Sequence, residues 1–345
     1  MRLRPLLVLG TAALLLLTAC APEPTPSPTP TRSPSATPTP TPTPEPIVEP
    51  DAAFAVTCDD VAAEMAGLVG EPSTPVNPAL SIVSGPGWLP GPAQYMFQRA
   101  AGIACSAGDT TRNWEVSIAP GAESIVAGAT ERGGYWGEVG WCDAGTCMFE
   151  FPDGGVFVSA SIRDSVIGAG DTERVREALR RLAASAAASI REVAYVDSDI
   201  VGMPCEHFIT EEGVRDVAGE DVTLSTKFEG WGIPAEIYEV VNGSRICFFM
   251  STEGDMGTAR SYLMVTSLPA GAWAFEKQVG TAVDIEGADA ALASEGQHGQ
   301  RYLDLRIGLD WIRLMTFDNG SGAADPAAYA ATVVRSLTTG VTAPE

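Results

Sequence analysis

Gly87-Trp88-Leu89-Pro90-Gly91-Pro92-Ala93 runs on to Gly102-Ile103-Ala104-Cys105, and a related series returns later in the chain. There, Gly230-Trp231-Gly232-Ile233-Pro234-Ala235 runs on to Gly243-Ser244-Arg245-Ile246-Cys247. In both places a Pro-Ala pair stands 12 residues before a cysteine, counted from the alanine. An earlier cysteine, Cys58 or Cys205, opens each series. Each then enters an apolar run that stops at a proline, Trp114 to Pro120 and Tyr262 to Pro269. An ordered series of this kind reads as an internal duplication, and it sets the fold expected of the chain.

The closing element of each unit reads as a helix. Asp171 stands where an N-cap belongs, and Val175, Leu179, Leu182, Ala186 and Ile190 recur at helical spacing. In the second unit Asp325-Pro326 opens the helix, Tyr329, Val333 and Leu337 share a face, and Gly340 ends it. Before them, Val156, Val158, Ala160 and Ile162 alternate as a half-buried strand does. Tyr302 to Ile307 and Trp311 to Met315 read as a strand pair. Strands closed by a helix, twice over, predict an α+β fold of two tandem units, each an antiparallel sheet with helices packed on one face. The expected bounds are 51–196 and 197–345.

Ahead of these units, Arg2 and Arg4 precede an apolar run, Leu6 to Leu17, too short to span a bilayer. It closes on Leu17-Thr18-Ala19-Cys20, which resembles the lipobox of bacterial lipoproteins. That resemblance implies cleavage after residue 19 and a diacylglycerol on Cys20. Residues 20–50 are then a stalk of Pro, Thr and Ser, unable to form a core and about 90 Å long if extended at about 3.1 Å per residue. By layout the chain is also similar to secreted lipoproteins of high-GC Gram-positive bacteria that carry cysteine-linked α+β domains. Gly102-Ile103-Ala104-Cys105 fits their Gly-x-x-Cys-x-Trp strand, although Ala107 stands where tryptophan is expected. In the second unit Gly243 lies one residue further from its cysteine and Phe249 replaces the tryptophan. The resemblance implies an address on the outer face of the cytoplasmic membrane and assigns no functional residue.

Without residues 1–19 the chain has 19 basic and 44 acidic residues, a net charge of −25. Such a surface repels nucleic acids and anionic head groups, so the membrane is expected as a partner only through the lipid. With Cys20 lipidated, six cysteines remain, and an exported chain oxidises them. The duplication pairs Cys58 with Cys105 and Cys205 with Cys247. Cys142 and Cys147 are left to close a small loop across Asp-Ala-Gly-Thr. No metal site or cofactor is expected: the two histidines, His207 and His298, read as exposed polar residues, and Asp318-Asn319-Gly320-Ser321 reads as a turn. Nor does a G-x-S-x-G elbow, P-loop or dinucleotide fingerprint occur.

The one stretch that suggests recognition is Gly133-Gly134-Tyr135-Trp136-Gly137-Glu138-Val139-Gly140-Trp141-Cys142. Tyr135, Trp136 and Trp141 among glycines are candidates for a fixed apolar contact surface. The plainer reading, preferred on sequence, packs them in the core, as it does Trp88 and Trp231. Three functions follow as expectations. The first is a non-enzymatic binding or sensing protein for an envelope component, small amphiphile or partner protein. The others are a hydrolase using carboxylates and a passive structural lipoprotein.

The lipid assignment is testable on its own. Intact mass of the native protein should begin at Cys20 and carry acyl chains, and Cys20→Ser should move it from the membrane to the medium. An unmodified Cys20 would contradict this reading.

Overall fold

Thr57 starts the first helix because its side chain accepts from the Asp60 N–H while the Asp60 carboxylate accepts from the Thr57 N–H (2.9 Å), a reciprocal cap. That helix, α1 (Cys58–Val69), buries Val61, Met65 and Val69 on one stripe. The computed structural model describes residues 46–81, 91–226, 232–253, 259–296, 298–320 and 322–339. Residues 1–45, with Cys20 and most of the segment expected to be a stalk, and Trp88, Trp231 and Gly340 lie outside them. Pro46–Glu345 form one compact unit of mixed α and β structure.

The first sheet joins β1 (Ile103–Gly108), β2 (Asn113–Pro120), β3 (Val139–Asp143), β4 (Thr146–Asp153) and β5 (Val156–Arg163), all antiparallel, in the order β1-β2-β5-β4-β3. Short α2 (Met96–Arg99) precedes β1, α3 (Ala122–Glu131) follows β2, and α4 (Thr172–Ala188) follows β5. One face of this sheet packs with α1 and α4 around Val116, Phe149, Val158, Val175 and Leu179.

The second sheet has seven strands, β6 (Val222–Ser225), β7 (Ile246–Ser251), β8 (Ser261–Leu268), β9 (Thr281–Ala282), β10 (Ala290–Glu295), β11 (Arg301–Ile307) and β12 (Asp310–Thr316). Their order is β6-β7-β8-β12-β11-β10-β9, again antiparallel. Helices α5 (Glu211–Ala218), α6 (Ile233–Ala235), α7 (Ala272–Phe275) and α8 (Ala327–Thr339) complete the α-helices among the described residues, beside short 3-10 and π segments. Phe249, Leu263, Leu314 and Val214 of α5 pack with Tyr329 and Val333 of α8 on one face. Within this sheet β7-β8-β12-β11-β10 follow one another as β1-β2-β5-β4-β3 do in the first.

All six expected cysteines are oxidised. Cys58 of α1 bonds Cys105 of β1, Cys205 bonds Cys247 of β7, and Cys142 bonds Cys147 across the β3–β4 hairpin. Closing loops with separations of 47 and 42 residues removes chain entropy worth about 4 kcal/mol each at most. Gly102 of the glycine–cysteine motif has a steric reason: a Cβ there would lie 2.2 Å from the Ile118 carbonyl oxygen. Two helix expectations need correction. Asp171 occupies the N-cap of α4, but its carboxylate accepts from the Gly168 N–H and pairs with Arg174, giving the helix no side-chain cap. Ile190 lies beyond the helix, exposed, because Ser189 Oγ donates back to the Ser185 and Ala186 carbonyls at the helix end.

The second faces of both sheets meet in a single apolar cluster that contains Phe157, Met264, Trp311 and Met315 with α3 and α7. Tyr95 enters it from the segment before α2, edge-on to Trp273 at 5.6 Å and tilted against Trp311 at 5.9 Å. Trp311 is held in turn by a buried ion pair. Its Nε1–H donates to Asp304 Oδ1 (2.7 Å), and Arg313 reaches both Asp304 oxygens (2.7 and 2.8 Å) from directly across the β11–β12 ladder. Gly91 lets the chain pass over that guanidinium: it has φ +103°, and a Cβ would meet Arg313 atoms at 2.6 Å. No helix among the described residues is long and apolar enough to cross a membrane.

Breaking the pair leaves a buried guanidinium without its counter-charge, so Asp304→Ala should cost about 3–5 kcal/mol in urea unfolding. A loss below about 1 kcal/mol would show that the pair does not organise this cluster.

Candidate functional site

The glycine-rich stretch begins where α3 stops. Gly133, at φ +72°, donates its N–H to the Thr130 carbonyl and Gly134 donates to Ala129, which turns the chain out of the helix. Tyr135 folds back so that its ring meets Phe157 edge-on at 6.1 Å, on the margin of the cluster shared by the two sheets. Trp136 does not follow it. Its side chain is 86% exposed, and Trp141 is 45% exposed. The preferred sequence reading, all three aromatics in the core, is therefore corrected for both tryptophans. β3 is the edge strand, and the shared cluster ends before reaching it.

β3 is nevertheless held firmly. Cys142 points into the α-helical side of the sheet and bonds Cys147 opposite it. Ala144 and Gly145, both with positive φ, make the two-residue turn between them. The outward backbone groups of the edge are used by α4: the Cys142 N–H donates to Thr172 Oγ1 (3.0 Å) and Arg176 Nη2 donates to the Gly140 carbonyl (2.9 Å). Gly140 makes room for this, since a Cβ would lie 2.5 Å from Arg176 Nη2. These contacts blunt an edge that would otherwise invite another strand.

Alternation then places Val139 and Trp141 on the opposite face, away from α4. Met148 stands directly across from Trp141, and Glu150 across from Val139. The next strand contributes Ser161 and Ser159 to the same two rows. Glu150 is half-buried, and burial pushes its carboxyl up from the ordinary carboxylate range. Tyr135 feels both Glu138 and Glu150 and is likewise raised, chiefly by burial. The structure thus brings Tyr135 and Trp141 to one face with Val139, Met148 and Glu150. Trp136 is adjacent to Tyr135 in the chain and open to solvent. Met148 and Glu150 were missed on sequence, although the alternation of Thr146–Asp153 marks them as sharing a face.

Other polar features have structural work. A groove of about 590 Å³ between α1 and α4 is lined by Asp60, Glu64 and Arg181. Asp60 serves the helix cap, and Arg181 binds Glu64 at 2.8 Å. Asp318 Oδ1 accepts from the Gly320 and Gly322 N–H groups, the turn expected there. His298 is exposed, while His207 is half-buried in a 3-10 turn beside Cys205. Among the described residues no group of three or more His, Cys, Asp or Glu side chains is placed to hold a metal. Two further carboxyls are raised, Asp310 and Glu239, each first by its own burial. Burial, rather than a neighbouring carboxylate, is likewise the leading cause at Glu150, so these groups do not behave as paired acids.

Comparison of the chain with protein-family models, with curated proteins and with solved structures finds no match.

Glu239 gives a pH prediction. Burial lifts its carboxyl from 4.5 to about 7, with Arg245 opposing. The folded chain then holds this proton more tightly than the unfolded chain. Stability from this group is fully present below about pH 4.5 and is lost as pH rises through about 7. Glu239→Gln should flatten that part of the stability profile and raise stability above pH 7. An unchanged slope between these values would contradict the assignment.

Proposed function

We propose that this chain is a lipid-anchored binding or sensing protein on the outer face of the cytoplasmic membrane, without enzymatic activity of its own. Cys20 carries the lipid, the Pro, Thr and Ser residues ahead of Pro46 act as a stalk, and the folded unit, which begins at Pro46, offers its aromatic edge to an envelope component, small amphiphile or partner protein. The observation that carries this reading is the exposure of Trp136 and Trp141 beside a strand fixed by a disulfide and by α4. Large aromatic side chains left in water on a rigid support lose little conformational entropy when something covers them. The strong negative charge directs the surface away from anionic ligands.

We further read the two sheets as copies of one unit. The shared order of five strands supports this, as does the matching link from a first helical segment to the first of those strands, Cys58–Cys105 and Cys205–Cys247. In this reading the aromatic edge belongs to the first copy alone.

The test is co-sedimentation of the purified folded unit with cell-envelope preparations, comparing wild type with the Trp136→Ala/Trp141→Ala double variant. Because both side chains reach solvent, the variant should melt within about 1 kcal/mol of wild type while its envelope binding falls at least about tenfold. Equal binding by the two proteins would leave the passive structural role in its place.

A further inference from the structure

The face that carries Trp141 also carries a carboxylate with an unusual setting. Among the described residues no side-chain hydrogen bond or ion pair reaches the Glu150 carboxylate, yet it is half-buried; Val139 and Ser159 are its register partners, Trp141 lies in the next row of the same face opposite Met148, and Tyr135 is near enough to feel its charge. A charge taken partly out of water without a partner is costly, and chains keep such a group where a ligand supplies the counter-charge. Around it the chain is acidic: Glu131, Glu138, Asp143 and Glu150 fall within twenty residues that hold one basic residue, Arg132. Arg132 is engaged by Glu236, at 2.8 and 2.5 Å. Arg176 lies on the other side of the strand, bound to the Gly140 carbonyl and Glu173. Arg163 sits at the far end of β5 in the row of Asp143.

Aromatic faces beside an uncompensated carboxylate attract one ligand chemistry. The negative faces of tyrosine and tryptophan draw a diffuse positive charge, and the carboxylate supplies the full counter-ion. Anions are repelled, and a neutral sugar would occupy the aromatic surface without compensating Glu150. A zwitterionic phosphocholine head group would bring a phosphate against Glu138 and Glu150, which favours a free cation over a lipid head group. Resting on the binding function proposed above, we propose that this face takes a small soluble organic ammonium compound, its cationic group seated between Tyr135 and Trp141 with Glu150 as counter-ion.

The experiment follows the indole N–H signals of the folded, disulfide-bonded protein by NMR during titration with tetramethylammonium chloride, with sodium chloride as control. Signals assigned to Trp136 and Trp141 through their alanine variants should shift saturably with the ammonium salt alone. Glu150→Gln should weaken the response about tenfold, the effect of losing one partly desolvated counter-charge. No saturable shift, or a shift that Glu150→Gln leaves unchanged, would overturn the proposal. So would phosphocholine binding as tightly as tetramethylammonium. If ammonium fails while the double tryptophan variant still loses envelope binding, the ligand class falls and the binding function stands. If envelope binding is also unchanged, both fall.

Discussion

The insertion of Tyr95 between Trp273 and Trp311 is the contact on which the rest of the molecule depends. Each sheet covers one face with its own helices, and its other face would lie open in isolation. The cluster around these rings removes that exposure for both sheets at once. Polar contacts around the rings limit how the parts can slide. Gln278 Nε2 donates to the Tyr95 hydroxyl at 3.4 Å, and Asn242 Nδ2 donates to the Met96 carbonyl at 2.9 Å. Burial raises the Tyr95 phenol, so the ring enters as a neutral group. Behind Trp311, the Asp304–Arg313 pair supplies a directional anchor that dispersion forces alone would lack.

Much of the local structure was legible in the sequence. Val156 to Ile162 alternates and forms β5, and the runs ending at Pro120 and Pro269 correspond to β2 and to β8, which stops at Leu268. The helical stripe from Val175 to Ala186 is buried as its spacing implies. The shared cluster was not legible, because strands such as β2, β8 and β12 are buried on both faces along most of their length. β12 buries Trp311, Arg313 and Met315 on one side and Ile312 and Leu314 on the other, a run in which Arg313 reads as a surface residue until Asp304 is placed opposite. The fates of the three candidate aromatics were hidden for the same reason. Nothing local distinguishes Tyr135, which folds onto Phe157, from Trp136, which does not. The difference is set by where the second sheet stops covering the first.

That boundary also explains the character of the candidate surface. At β3 and β4 the face opposite the helices emerges from the shared cluster, so Trp141, Met148 and Glu150 occupy positions that are interior elsewhere on the same sheet. Apolar and acidic groups are thereby placed together at the rim of a core, supported from behind by Cys142–Cys147, Thr172 and Arg176. The backbone of β3 is held from behind, which keeps Trp141 on the outer face of the edge.

Oxidative footprinting of tryptophan, applied to the purified chain and to the chain displayed on intact cells, tests the central claim most directly. In the purified chain Trp136 and Trp141 should be modified rapidly while the buried Trp114 and Trp311 are spared. On cells the first two should become protected, with Trp114 and Trp311 unchanged. Protection of Trp136 and Trp141 in the purified chain, or equal modification in both settings, would contradict an aromatic edge held open for a partner.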